Sequence, residues 1–136
     1  MSTAAEMTAS LRLPTRNLYQ GRVCKLYAVA ENGAFGMLPN HTDFITALVP
    51  SVLILTKVDG GELIFGIDEG ILVKKGHRVD VAVRRGVRGD DLASIRGTVY
   101  RDFIAMDEDE RVARSALSRL EAGMVRRFAE LRRPMP

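Results

Sequence analysis

The side chains able to do chemistry are few and scattered. His41, His77 and Cys24 are the only imidazoles and thiol in the chain, and their spacing matches no zinc-site pattern. Cys24 can form no internal disulfide. It lies in an apolar alternation, so a buried thiol accounts for it better than a nucleophile does. Asp68 and Glu69 are adjacent acids before Gly70, but neighbours in a strand point to opposite faces, so the pair reads as a turn rather than an acid–base couple. No G-x-x-x-x-G-K-[ST] loop is present, and Gly33 to Gly36 is too short and apolar to cradle phosphates. An enzyme acting alone is therefore not expected, and no cofactor or metal is implied.

Charge separates the remaining classes. The net charge is +3, with sixteen arginines against four lysines, which favours bidentate contacts to carboxylates or phosphates. An arginine-rich nucleic-acid-binding module is thus one alternative, and a free-standing ligand-binding sandwich is another. Both signs are mixed along the chain, however, so a solvated surface explains the arginines better. No run approaches the roughly 20 apolar residues of a membrane span, and Met1 to Ser10 lacks the zones of a secretion signal, so a soluble, cytoplasmic protein is expected.

The elements that must position these residues fall into two parts. From Leu11 to about Arg85 short apolar segments alternate with turn residues at a period of two. Val23, Lys25, Tyr27 and Val29 alternate with Cys24, Leu26, Ala28 and Ala30. Ser51 to Val58, then Asp59-Gly60-Gly61, then Glu62 to Ile67 predicts a hairpin, since Asp-Gly and Gly-Gly supply positive φ. Gly70 to Lys74 and Arg78 to Arg84 form a second pair around Lys75-Gly76-His77, with Val79, Val81 and Val83 on one face. The expectation over residues 1–89 is an antiparallel β-sandwich of about eight to ten short strands, and 46% apolar content is enough for its core.

Residues 90–136 are expected to form a C-terminal α-helical hairpin, making the chain mainly β plus α. Asp90 is the candidate N-cap, and Leu92, Ile95, Val99 and Phe103 follow at helical spacing. Gly97, Thr98 and Val99 weaken that pattern, so a strand over Thr98 to Ile104 stays open. Asp107 and Glu110 approximate a capping box for a second helix, with an apolar stripe of Val112, Leu117, Leu120, Met124, Phe128 and Leu131. Arg126, Arg127, Arg132 and Arg133 gather at its far end, before Pro134, where cations suit the carbonyl terminus or could form an acid-binding face.

The stretch Gly33-Ala34-Phe35-Gly36-Met37-Leu38-Pro39-Asn40-His41, followed by Glu69-Gly70-Ile71-Leu72-Val73 and by Arg88-Gly89-Asp90-Asp91-Leu92 at the junction, resembles the epsilon subunit of F-type ATP synthases from about Leu11 to Arg133. The resemblance implies a subunit with no active site of its own, seated on the rotating central stalk between the gamma subunit and the loops of the membrane c-ring. By position, Asn32, Gly33, Ala34, Phe35 and Gly36 correspond to the family's c-ring contact, while His41 and Thr42 fall where it touches gamma. The terminal arginines could reach the alpha and beta catalytic subunits and restrain ATP hydrolysis. The implied location is peripheral, on the cytoplasmic face of the bacterial inner membrane, with no nucleic acid and only indirect contact with lipid.

Three departures mark a divergent branch, similar to that of the second, sodium-type ATP synthase of some bacteria. Thr42-Asp43 stands where the family usually has a proline soon after the histidine, and Pro50-Ser51 stands where it has Pro-Gly. Ala93 replaces the aspartate of the Asp-x-x-Arg pattern of ATP-binding members, although Arg96 remains.

Overall fold

A computed structural model describes residues 5–105 and, beyond them, residues 108, 112, 113, 116, 120 and 124. Nine strands run in sequence as β1 (Met7–Arg12), β2 (Asn17–Ala30), β3 (Gly33–Met37), β4 (Phe44–Leu48), β5 (Ser51–Lys57), β6 (Glu62–Ile67), β7 (Gly70–Lys75), β8 (Arg78–Val83) and β9 (Gly86–Gly89). They hydrogen-bond in the order β1-β8-β7-β4-β2-β5-β6-β9, with β3 alongside β2. Because β1 also pairs with β2, the sheet folds back on itself and encloses its core as a sandwich. Both predicted hairpins are present, with Gly60 at φ 94° and Gly76 at φ 58° in their turns.

Two features of the sandwich differ from the sequence reading. The sandwich is not wholly antiparallel, since β1 runs parallel to β8 from Thr8 opposite Arg78 to Arg12 opposite Ala82. The alternation in β2 is also interrupted. Val23 faces Lys57 and Lys25 faces Thr56, which leaves Cys24 as the extra residue of a β-bulge. The bulge shifts the phase, so Val23 is buried together with Leu26, Ala28 and Ala30. Cys24 itself is half-buried, its thiol donating to the Lys57 carbonyl at 3.5 Å. The main core is apolar, drawing on Met7, Leu11, Leu26, Leu53, Phe65 and Leu72 among others, with Val79, Val81 and Val83 buried on one face as expected.

The parallel seam carries a polar clasp. Ser10 Oγ donates to Asp80 Oδ1 at 2.5 Å, and Arg78 Nε donates to Asp80 Oδ2 at 3.0 Å. Burial pushes the Asp80 pKa up, but hydrogen bonds from Ser10 and Arg78 and the charges of Arg78 and Arg12 outweigh it, so the carboxyl is held below the ordinary aspartate value.

After Gly89 the chain becomes helical, as α1 (Leu92–Thr98) followed by a π-helical segment (Val99–Ile104). The strand alternative over Thr98 to Ile104 is thereby excluded. Asp91, not Asp90, is the N-cap, because its Oδ1 accepts the Ser94 N–H at 2.8 Å. The π turn has a packing rationale. A four-residue spacing drifts by about 40° per step around a 3.6-residue helix. The wider turn offsets that drift, so Ile95, Val99 and Phe103 are all buried together with Val52. The seat beneath them is floored by glycine, since a Cβ on Gly89 would lie 1.9 Å from Ile95 Cγ1 and one on Gly66 would lie 2.9 Å from Val99 Cγ2. Glu108, Val112, Ala113, Ala116, Leu120 and Met124 are helical and exposed. The proposed capping box and return helix otherwise lie outside the described residues.

Two outcomes are expected. A carboxyl whose folded pKa is depressed contributes stability above its unfolded value near 3.9 and loses it as pH falls through the folded value. Asp80→Asn should therefore lower the melting temperature at pH 7, with the gap to wild type closing below about pH 4. Gly89→Ala should drive Ile95 off its seat and cost about 1–3 kcal/mol of helix docking. Amide exchange should show this as lost protection over residues 95–99, with the β5–β6 hairpin unaffected.

Candidate functional site

The β2–β3 connection is a tight hairpin in which Ala30 pairs with Gly33 across Glu31 and Asn32. Gly33 has φ 130°, a backbone region that side chains rarely adopt. Asn32, Gly33, Ala34 and Gly36 are exposed at this tip. Phe35 is not equivalent to them. Its ring meets Phe44 edge-on at 5.7 Å, and it packs against the main core.

The β3–β4 loop, Leu38 to Asp43, lies at the other end of β3. Its turn is closed by the His41 N–H donating to the Leu38 carbonyl at 2.9 Å. The His41 ring donates from Nδ1 to the Thr42 carbonyl at 2.8 Å and packs against Phe44 at 5.5 Å. Phe44 thus lies between Phe35 and His41, so the two predicted contact groups share an aromatic link. Thr42 is exposed.

Polar groups from the β7–β8 turn hold the loop. Asp43 Oδ1 accepts the Gly76 N–H at 2.8 Å, and His77 Nε2 lies 3.3 Å from Asn40 Oδ1. Lys74 is almost completely buried at 1% exposure, and its Nζ donates to the carbonyls of Pro39 and His41, each at 3.0 Å, and to that of Gly76. The β7–β8 turn is therefore tied to the loop at several points. Sequence reasoning missed Lys74, although a signal existed: Leu72 points inward, and a period of two puts residue 74 on the same side.

Beside the loop lies an apolar outer face that sequence reasoning also missed. Ile45 pairs with Val73 and Ala47 with Ile71, which in turn faces Ala82, so these side chains form one patch. Ile45 is 69% exposed, Ile71 52% and Val73 38%. A concavity of about 510 Å³ adjoins the patch, with Leu13, Pro14, Arg12 and Arg84 on its wall. The clue was the unbroken apolar run Gly70 to Val73, which a one-sided strand would not need.

The junction with the helix is electrostatic as well as apolar. Asp68 has no exposed side-chain surface and takes Arg85 Nη2 at 2.8 Å, Arg84 Nε at 3.6 Å and the Glu69 N–H at 2.7 Å. Arg85 also donates to the Asp102 carbonyl at 3.4 Å and lies 5.1 Å from the Phe103 ring centroid. The Asp68-Glu69 pair therefore sits in a turn, as expected, but as an ion-pair anchor. A smaller groove of about 380 Å³ runs between β2, β5 and the helix, lined by Tyr27, Ile54, Arg96 and Tyr100 among others.

Several other described arginines are likewise paired, Arg22 with Glu6, Arg78 with Asp80 and Arg101 with Asp102. Among the described residues no group of three or more His, Cys, Asp and Glu could hold a metal ion. No described helix is long and apolar enough to cross a membrane. Arg126, Arg127, Arg132 and Arg133 lie outside the described residues.

Comparison with known proteins matches this architecture. The family model for the ATP synthase delta/epsilon chain β-sandwich domain matches residues 6–89. The chain is 34% identical over 113 residues to "ATP synthase epsilon chain 2" of Paraburkholderia xenovorans, covering 82% of this chain and 81% of that one. To the protein of the same name in Cereibacter sphaeroides it is 33% identical over 124 residues, covering 88% and 85%. Among solved structures, a chain of the Euglena gracilis mitochondrial ATP synthase superposes with TM-score 0.62 at 18% identity, covering 72% of this chain and 64% of that one. A chain of the Tetrahymena thermophila mitochondrial ATP synthase central stalk and c-ring gives 0.53 at 15%, covering 74% and 95%. With the sandwich matched throughout and relatives aligned over most of their length, this chain belongs to the epsilon-chain family of ATP synthase subunits.

Proposed function

We propose that the chain works as the epsilon subunit of a rotary ATP synthase, a rotor component without chemistry of its own that couples the central stalk to the membrane ring. The observation that carries this reading is the exposed apolar face of Ile45, Ile71 and Val73 running up to the His41–Thr42 loop. On a family member that face fits the gamma subunit, because burying three branched side chains against a partner is the natural end of so large an exposed patch. The tip Asn32, Gly33, Ala34 and Gly36 fits the c-ring loops, with Phe35 as its buttress from within. Separation of the two surfaces by the length of β3 lets one small sandwich touch two partners at once. The complex would hold the protein peripherally at the cytoplasmic face of the bacterial inner membrane.

The terminal arginines Arg126, Arg127, Arg132 and Arg133 are proposed as a brake, pairing with acidic segments of the alpha and beta subunits during hydrolysis.

Two measurements test this. Ile45→Glu with Val73→Glu should leave the sandwich folded and weaken association with the gamma subunit of the same synthase by at least about tenfold, since two charges would be buried without partners. Unchanged affinity would remove gamma from this face. Replacing all four terminal arginines by glutamine should raise ATP hydrolysis by the reconstituted complex, and an unchanged rate ends the brake reading.

A further inference from the structure

Lys74 is a buried cation in a place where an apolar side chain would fill the same space without losing hydration. Its ammonium has three N–H donors, and three backbone carbonyls receive them: Pro39, His41 and Gly76. No carboxylate among the described residues pairs with it. Two of the acceptors belong to the β3–β4 loop and the third to the β7–β8 turn, which Asp43 ties back to the loop through the Gly76 N–H. A lysine satisfied wholly by main-chain oxygens reads no side chain; it fixes the path of the backbone on either side of it.

We propose that Lys74 is a positioning residue for partner recognition, presetting the loop Pro39 to Asp43 so that His41 and Thr42 meet the gamma subunit in one shape. The half of this that concerns gamma rests on the function proposed above. Thr42-Asp43 leaves this end of the loop without a proline, and an unbraced loop would have to order on binding, which lowers affinity. Lys74 supplies the stiffness from below, through bonds that do not use the outward surface of the loop.

Lys74→Met in the full chain separates positioning from plain stability. Methionine matches the length and removes the donors, so β5 and β6 amides should keep their protection and the melting temperature should hold or rise. Exchange at the His41 and Gly76 amides, which bond Leu38 and Asp43, should quicken about tenfold. The dissociation constant for the gamma subunit should rise by about tenfold, and His41→Ala should add less in this background than in wild type. Wild-type exchange at both amides would overturn the proposal, because Lys74 would then not hold the loop. Faster exchange with unchanged affinity, while His41→Ala alone weakens binding, would overturn it and leave the gamma contact standing. If His41→Ala and Thr42→Ala also leave affinity unchanged, the gamma contact of this loop falls and takes the proposal with it. Should Lys74→Met fail to fold, Lys74→Gln, which keeps fewer donors on a shorter stem, must produce the same two effects, and their absence counts against the proposal equally.

Discussion

The structure depends on one six-residue strand being hydrogen-bonded along both edges. β1 pairs antiparallel with β2 and parallel with β8, and those two pairings convert a path of strands into a closed body. Without them β8 and one side of β2 would be open edges, and Met7, Ala9 and Leu11 would have no enclosed space to fill. Parallel pairing of the ends of a chain segment is entropically expensive, since seven strands must be placed before β8 arrives beside β1. The Ser10–Asp80 clasp lies on this seam, where a short polar contact fixes register that the surrounding valines alone would leave free to slip.

A closed body explains how a protein can function without reactive groups. Transmitting force between partners requires that surfaces keep a fixed relation, and a densely packed core has little compliance. Polar side chains accordingly serve geometry here. Lys74 ties a loop to a turn, Asp43 ties the turn back, and Asp68 gathers two arginines at the base of the helix. Each satisfies buried polar atoms that the chain reversals would otherwise strand.

Legibility in the sequence followed the range of the interactions involved. The β5–β6 and β7–β8 hairpins are local, with glycine at the turns and alternation on either side, and both were readable to within a residue or two. The Gly33 to His41 stretch was readable as a motif because its turn residues are themselves the signal. What escaped was set by tertiary placement. A single inserted residue at Cys24 reverses the facing of the strand before it, and nothing in the apolar run marks where the insertion falls. The parallel seam between β1 and β8 joins residues about seventy positions apart, beyond the reach of any periodicity. The N-cap was misplaced by one because Asp90 and Asp91 are equally good caps in isolation; only the Ser94 hydrogen bond distinguishes them. The Ile45–Ile71–Val73 patch required knowing that β4 and β7 are neighbours.

The helix junction shows how a sandwich can present a docking seat built from its own strands. Asp68 takes hydrogen bonds from Arg85 and the Glu69 N–H and an ion pair from Arg84, all of which precede the helix, so the guanidinium of Arg85 is oriented by the sandwich. Its contacts with the Phe103 ring and the Asp102 carbonyl are additional, made on the side the first partners leave open. The same division holds for the apolar part. Gly66 and Gly89 take ladder positions in β6 and β9 whatever lies above them, and their missing side chains are what let Val99 and Ile95 approach the sheet. The seat is thus a property of the nine strands, and the helix matches it by widening one turn.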